Sequence, residues 1–239
     1  LQSPFPEEAN RQLISRLAAL HFCPTERAAR NLANEGISAG VHVSGNTIVD
    51  ALEHMKALLI NIPTSVDTLL SGIIKQDPFV LVTAHRRENF DDKLAYLCDS
   101  LLAALSQVPN LHIVLPVHLN PNVRSPVQQK LSQHPRLHLL EPVDYPSLLR
   151  LMDKSALIVT DSGGLQEEAP SFGKYVIVTR DTTERPELID AGMGELCPLD
   201  SVHGLEKRIV ACLARPKSTP TTNPFGDGKS GMRIASRLS

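Results

Sequence analysis

From Pro78 onward the chain alternates short apolar runs with segments of helical period, and this regularity constrains the fold more than any other feature. Strands are predicted at 79–83, 112–117, 137–140, 156–160, 175–179 and, briefly, 195–197. Helical patterns fill 94–107, 123–132, 147–153, 166–171 and 202–213. The runs at 80–82, 113–115 and 157–159 are Val-Leu-Val, Ile-Val-Leu and Leu-Ile-Val, with no polar alternation. Strands of that kind belong in a sheet covered on both faces, which means parallel strands with helical crossovers. The expectation is an α/β domain over 78–215, a Rossmann-like doubly wound parallel sheet with its ligand beyond the carboxyl ends of the strands.

The first part of the chain behaves differently. Ala9, Leu13, Leu17 and Leu20 recur at helical spacing, so 7–20 reads as an amphipathic helix. A short strand at 21–23, a helix capped by Thr25 and ending near Gly36, a second strand at 41–44 and a helix from about Ile48 follow. This is the tail of an α/β unit, so 1–59 is taken as the remnant of a domain, 60–77 as a connector and 216–239 as a C-terminal turn and helix. The chain opens on Leu1 rather than Met, which reads as a truncation.

Composition excludes several function classes. With 42% apolar and 21% charged residues the sequence is that of a globular protein with a sizeable core, and a net charge of −2 offers nothing to nucleic acid or an anionic membrane. No apolar run approaches the ~20 residues of a membrane helix. Cys23, Cys98, Cys197 and Cys212 are scattered, and neither they nor the histidines have metal-ligand spacing. Buried reduced thiols, a cytoplasmic location, and no metal or cofactor are expected.

Four loops fall at the expected ligand edge. In Asp161-Ser-Gly-Gly-Leu-Gln-Glu-Glu-Ala-Pro170 a buried strand turns sharply into a helix. The backbone N–H groups of Ser162, Gly163 and Gly164, uncrowded by side chains, can cradle a diphosphate with help from the helix dipole. Glu168, about one turn on, can accept hydrogen bonds from both ribose hydroxyls. The competing reading is that the two glycines only let the helix pack close to the strand. Arg180 and Arg185 occupy the loop after the next strand, before Pro186. They can bind phosphate bidentately, or Arg185 can pair locally with Glu184 or Glu187. His85, in Thr83-Ala-His-Arg-Arg-Glu-Asn89, can assist a departing phosphate, or the segment is a charged turn. His118 and Asn120, in Pro116-Val-His-Leu-Asn-Pro-Asn122, offer polar contacts or belong to a proline-bounded turn.

These segments, with Ser3-Pro-Phe-Pro-Glu-Glu-Ala-Asn-Arg11, Gly45-Asn-Thr47 and Asn223-Pro-Phe-Gly-Asp-Gly228, occur in one order, and together they resemble the bacterial non-hydrolysing UDP-N-acetylglucosamine 2-epimerases over essentially the whole chain. The resemblance implies a GT-B-type fold of two Rossmann-like domains, here with a truncated N-terminal one, a homodimer, and UDP-sugar as ligand. It implies interconversion of UDP-GlcNAc and UDP-ManNAc through elimination of UDP, an enzyme-bound 2-acetamidoglucal, and re-addition after protonation of C2 on the opposite face. On that resemblance Glu7 is an acid/base carboxylate, His85 assists departure of UDP, Ser162, Gly163 and Gly164 hold phosphates, Glu168 the ribose and Arg185 the UDP-sugar. Arg86 and His118 are implied at an allosteric UDP-GlcNAc. Leu148 stands where relatives often have Phe beside the uracil, and Val143 offers backbone contacts to the base. The family's other Asp and Glu for proton transfer are expected upstream of Leu1. A hydrolysing epimerase, a GT-B glycosyltransferase and a UDP-binding module without catalysis use the same cradle and stay open.

Overall fold

The computed structural model describes residues 5–72, 77–84, 92–201, 204–215 and 222–239. The chain divides into two compact units, Leu1–His54 with Thr222–Ser239, and Met55–Thr221.

In the first unit, α1 (Glu7–Leu17), β1 (His21–Cys23), α2 (Glu26–Asn34), β2 (Val41–Val43) and the start of α3 (Thr47–Leu59) follow in order. Thr25 caps α2 by accepting from the Ala28 amide at 3.2 Å, as its position before an apolar-periodic segment predicts. The strands β1 and β2 are parallel, pairing His21 with Val41 and Cys23 with Val43. The C-terminal helix Ser230–Leu238 falls within this unit. The Asp50 carboxylate on α3 accepts from the amides of Ser230 at 3.1 Å and Gly231 at 2.8 Å, closing that helix's open N-terminus. Backbone pairing of the Asn46 amide with the Phe225 carbonyl at 2.8 Å completes the join. Gly45 there has φ +89°, and a β-carbon on it would meet Ser230 Oγ at 2.6 Å, so the turn demands glycine twice over.

The second unit opens with a surprise in the stretch read as a connector. Thr64 donates to the Asp67 carboxylate through its amide (Oδ2, 2.8 Å) and its hydroxyl (Oδ1, 2.7 Å), the Asp67 amide returns a bond to the Thr64 carbonyl at 3.2 Å, and α4 (Asp67–Gly72) follows. Then comes the predicted alternation: β3 (Phe79–Thr83), α5 (Asp92–Gln107), β4 (His112–Pro116), α6 (Pro121–Leu131), β5 (Leu137–Leu140), α7 (Tyr145–Lys154), β6 (Leu157–Thr160), α8 (Gly163–Glu168), β7 (Val176–Val178), α9 (Pro186–Asp190), β8 (Gly194–Leu196) and α10 (Leu205–Ala214). The connector is fastened to α7, whose Arg150 donates to the carbonyls of Leu59 at 2.6 Å and Ile62 at 3.1 Å.

All pairings in the sheet are parallel, in the order β5-β4-β3-β6-β7-β8. Val80, Leu81, Ile113, Ile158, Val176 and Ile177 are wholly inaccessible, as strands covered on both faces must be. Chain progress runs outward from β3 to β5, returns through α7 to β6 beside β3, and runs outward the other way. The reversal lies between β3 and β6. At such a reversal the flanking helices leave in opposite directions and open a crevice beyond the strand ends.

Candidate functional site at the carboxyl edge of the sheet

Thr83 and Thr160 end the two strands that flank the reversal and are register partners. Their hydroxyl oxygens lie 2.6 Å apart. Thr160 Oγ1 also accepts from the Ser162 amide at 2.9 Å, which fixes the turn leaving β6. Ser162 then stands in an extended conformation at the start of α8, and its side chain makes no capping bond. One consequence departs from the sequence reading: the Ser162 amide is already committed to Thr160, so the backbone donors the turn can offer an anion are those of Gly163 and Gly164, beside the Ser162 hydroxyl.

The two glycines are not there for close packing of helix on strand. Among the described residues, a β-carbon added to Gly164 would meet Ser162 Oγ at 3.8 Å, and the nearest atoms to one added to Gly163 would be those of the Arg185 guanidinium, at 3.5–3.7 Å. The bare backbone faces the loop that carries Arg185. Arg185 Nε donates to Glu167 Oε1 at 2.8 Å, so this arginine pairs across the loops rather than chiefly with Glu184, whose carboxylate is 4.0 Å from Nη1. Arg180 makes the local pairing instead, donating to both oxygens of Glu184 at 2.6 and 2.9 Å.

Gln166, which the sequence reading passed over, knits the site. Buried on α8, it donates to the Ser162 carbonyl at 3.0 Å and accepts from the Thr183 hydroxyl at 2.5 Å. Thr183 Oγ1 in turn accepts from the Arg185 amide at 3.0 Å. The loops after β6 and β7 are therefore tied to each other through Gln166. The four-residue spacing from Ser162, which puts Gln166 one helical turn on, was the available signal.

Glu168 closes α8 and is 5% exposed. Burial pushes its carboxyl pKa up, the Tyr145 hydrogen bond opposes that shift, and neighbouring Glu167 adds to it. The Tyr145 phenol donates to Glu168 Oε1 at 2.8 Å, and burial together with this bond pushes the phenol upward in turn. Tyr145 is the first residue of α7, whose start is set by Asp144 accepting from the Ser147 amide at 2.9 Å. Val143 and Leu148, both half-buried, flank that start.

Thus Ser162, Gly163, Gly164, Glu168 and Arg185 gather around one helix. His118 lies between β4 and α6. It is exposed, and its Nδ1 accepts from the Asn120 amide at 3.1 Å, while Asn120 caps α6, so the proline-bounded turn is formed. Glu7 heads α1 in the other unit and is exposed. His85 and Arg86 lie outside the described residues. A concavity of about 830 Å³ in the first unit, lined by Phe22, His42, Val43 and Met232 among others, contains none of the predicted residues. Among the described residues no group of three or more His, Cys, Asp or Glu is placed to hold a metal, and no helix is long and apolar enough to cross a membrane.

Known proteins share this architecture and sequence. The chain is 47% identical over 242 residues to a probable UDP-N-acetylglucosamine 2-epimerase of Ralstonia solanacearum, covering 98% of this chain and 64% of that protein. Among solved structures, the UDP-GlcNAc 2-epimerase from Neisseria meningitidis bound to UDP-GlcNAc superposes with a TM-score of 0.87 at 40% identity, covering 100% of this chain and 66% of that one. The S. aureus MnaA–UDP co-structure gives a TM-score of 0.90 at 37% identity, over 99% of this chain and 64% of that one. The chain thus spans about 64% of the length of the curated relatives it matches. A family model described as UDP-N-acetylglucosamine 2-epimerase matches residues 1–239, and the chain belongs to that family.

Proposed function

We propose that this chain is the nucleotide-binding part of an enzyme that interconverts UDP-GlcNAc and UDP-ManNAc, and that UDP lies across the carboxyl edge of β6. What carries the reading is the bare backbone of Gly163 and Gly164 facing an arginine, at the reversal point of a parallel sheet, in a chain of the epimerase family. The Gly163 and Gly164 amides and the Ser162 hydroxyl take the diphosphate, with Arg185 as counter-charge. Glu168 takes the ribose, and Val143 and Leu148 border the base. UDP leaves with the C2 proton and returns after C2 is protonated on the other face, with His85 assisting at the diphosphate and Glu7 as one acid/base carboxylate. Arg86 and His118 serve a second UDP-GlcNAc. The whole enzyme works as a cytoplasmic homodimer and needs no metal or cofactor.

Calorimetric titration tests the cradle. UDP is expected to bind the chain, and Gly163→Val to abolish binding, because its branched carbon would enter the space of the Arg185 guanidinium and cover the amides. Gly163→Ala, whose single carbon makes ordinary contact with Arg185, should keep the fold and most of the affinity. A folded Gly163→Val protein with unchanged UDP affinity would overturn the assignment.

A further inference from the structure

We propose that Tyr145 is a positioning residue that makes Glu168 a reader of the ribose hydroxyls, so that preference for ribose over deoxyribose depends on a side chain that acts through the carboxylate. This rests on the reading of the sheet edge as a UDP site and specifies how its sugar is recognised.

Both partners sit on firmly held backbone. Asp144 fixes the first turn of α7, and Glu168 is followed directly by the buried Ala169 and Pro170 of a short 3-10 turn. The Tyr145 side chain thus reaches Glu168 from a different element, 23 residues away, and donates to one named oxygen at 2.8 Å. A carboxylate has two oxygens and about four acceptor positions. Committing Oε1 to a phenol pins the carboxylate plane and leaves Oε2, with the second lone pair of Oε1, as the acceptors for a vicinal diol. At 5% exposure Glu168 has little water to replace a lost partner, so rotation away from Tyr145 is costly. The phenol also favours the ionised carboxylate against the burial that opposes it. A protonated Glu168 would have one oxygen acting as donor and would lose half of its capacity to accept from a diol.

The test compares UDP with 2′,3′-dideoxy-UDP on the 239-residue chain, titrating the wild type, Tyr145→Phe, Glu168→Ala and the double variant. Tyr145→Phe should weaken UDP by about tenfold, the scale of one hydrogen bond to a charged group, and leave dideoxy-UDP unchanged. In the Glu168→Ala background the same change should have no effect on either ligand. The acid limb of UDP affinity should move to higher pH in Tyr145→Phe, because burial then acts unopposed. An equal loss for both ligands would show that Tyr145 serves packing only, and an unchanged UDP affinity would also overturn the proposal. Should Glu168→Ala retain the full preference for UDP over dideoxy-UDP, or should the wild-type chain bind neither, the ribose and UDP readings themselves would fall.

Discussion

Glu168 is buried where an ionised carboxylate is disfavoured, and that has a measurable cost. Its folded pKa is raised above the ordinary 4.5, so its contribution to stability is fully present below about 4.5 and is lost as pH rises through the folded value. Replacement by Gln keeps an acceptor for the Tyr145 phenol and removes the charge. Glu168→Gln should therefore unfold at a higher temperature than the wild type at pH 7, with the difference shrinking toward pH 4, while UDP affinity falls. Thermal melts at the two pH values decide it, and equal melting temperatures at neutral pH would show that the carboxylate carries no such strain. Stability given up at a binding residue is the usual pattern. At this scale the sequence showed which residue types line the turn but not how they pair. Arg185 and Glu184 are neighbours in the chain, yet the bond at 2.8 Å goes to Glu167, and the partner of Glu168 lies on the preceding helix. Such pairings are set by the distance between loops, which composition and spacing do not encode.

At the scale of elements, the central strands β3, β4, β6 and β7 were readable because burial on both faces leaves an unbroken apolar run, a signal that needs no tertiary context, whereas the edge strands β5 and β8 carry His138 and Glu195 and are less fully buried. Two features were not readable. The helix α4 has no buried residue of its own and is recognisable only through the Thr64–Asp67 exchange that starts it. The home of the C-terminal helix is set by Asp50, 180 residues away in sequence from Ser230, and no local pattern announces a contact of that range. The helix α1 is a third case, in that the predicted amphipathic helix forms yet buries none of its residues, with Leu13, Ile14 and Leu17 more than 60% exposed. Its fastening to α2 is ionic: Arg11 bonds Glu8 at 2.7 Å within α1 and Glu35 at 2.5 Å beyond the end of α2. The Arg11 hydrogen bond, then that of Gln12, holds the Glu8 carboxyl down at about 2. A lowered carboxylate pKa means stability present above the ordinary 4.5 and lost as pH falls toward 2. Protection of the α1 amides, taken against the intrinsic exchange rate at each pH, should accordingly fall between those limits before that of the large sheet, and Glu8→Gln should show the reduced protection at pH 7. Because the pair is partly exposed, the effect should not exceed ~1 kcal/mol and should fade in salt. Protection in α1 that is flat across the acid range would remove the ion pairs from the account of its stability.

For the molecule as a whole, binding and turnover make different demands. The unit Met55–Thr221 holds a six-stranded sheet with its own core, and the residues proposed for UDP all belong to it. Epimerisation at C2 needs more: a proton must leave one face of the sugar and another must reach the opposite face, and general acid–base catalysis requires groups within hydrogen-bond reach of both. Of the carboxylates implied for that work the chain carries Glu7, which is exposed at the head of a helix with no buried residue. The chain spans about 64% of its relatives' length, and the other Asp and Glu are expected in what those relatives have besides. Positioning of reacting groups contributes much of an enzyme's rate, on the order of 7–11 kcal/mol where it is complete, so one exposed carboxylate supplies little of it. Residues 1–239 by themselves should bind UDP, more weakly than a full-length relative, and should not interconvert UDP-GlcNAc and UDP-ManNAc at a measurable rate. NMR of the sugar anomeric signals in deuterated water separates the outcomes. Unchanged spectra alongside a UDP titration that saturates fit this division of labour, whereas deuterium appearing at C2 would mean that proton transfer survives in residues 1–239, and this division between binding and turnover would be wrong.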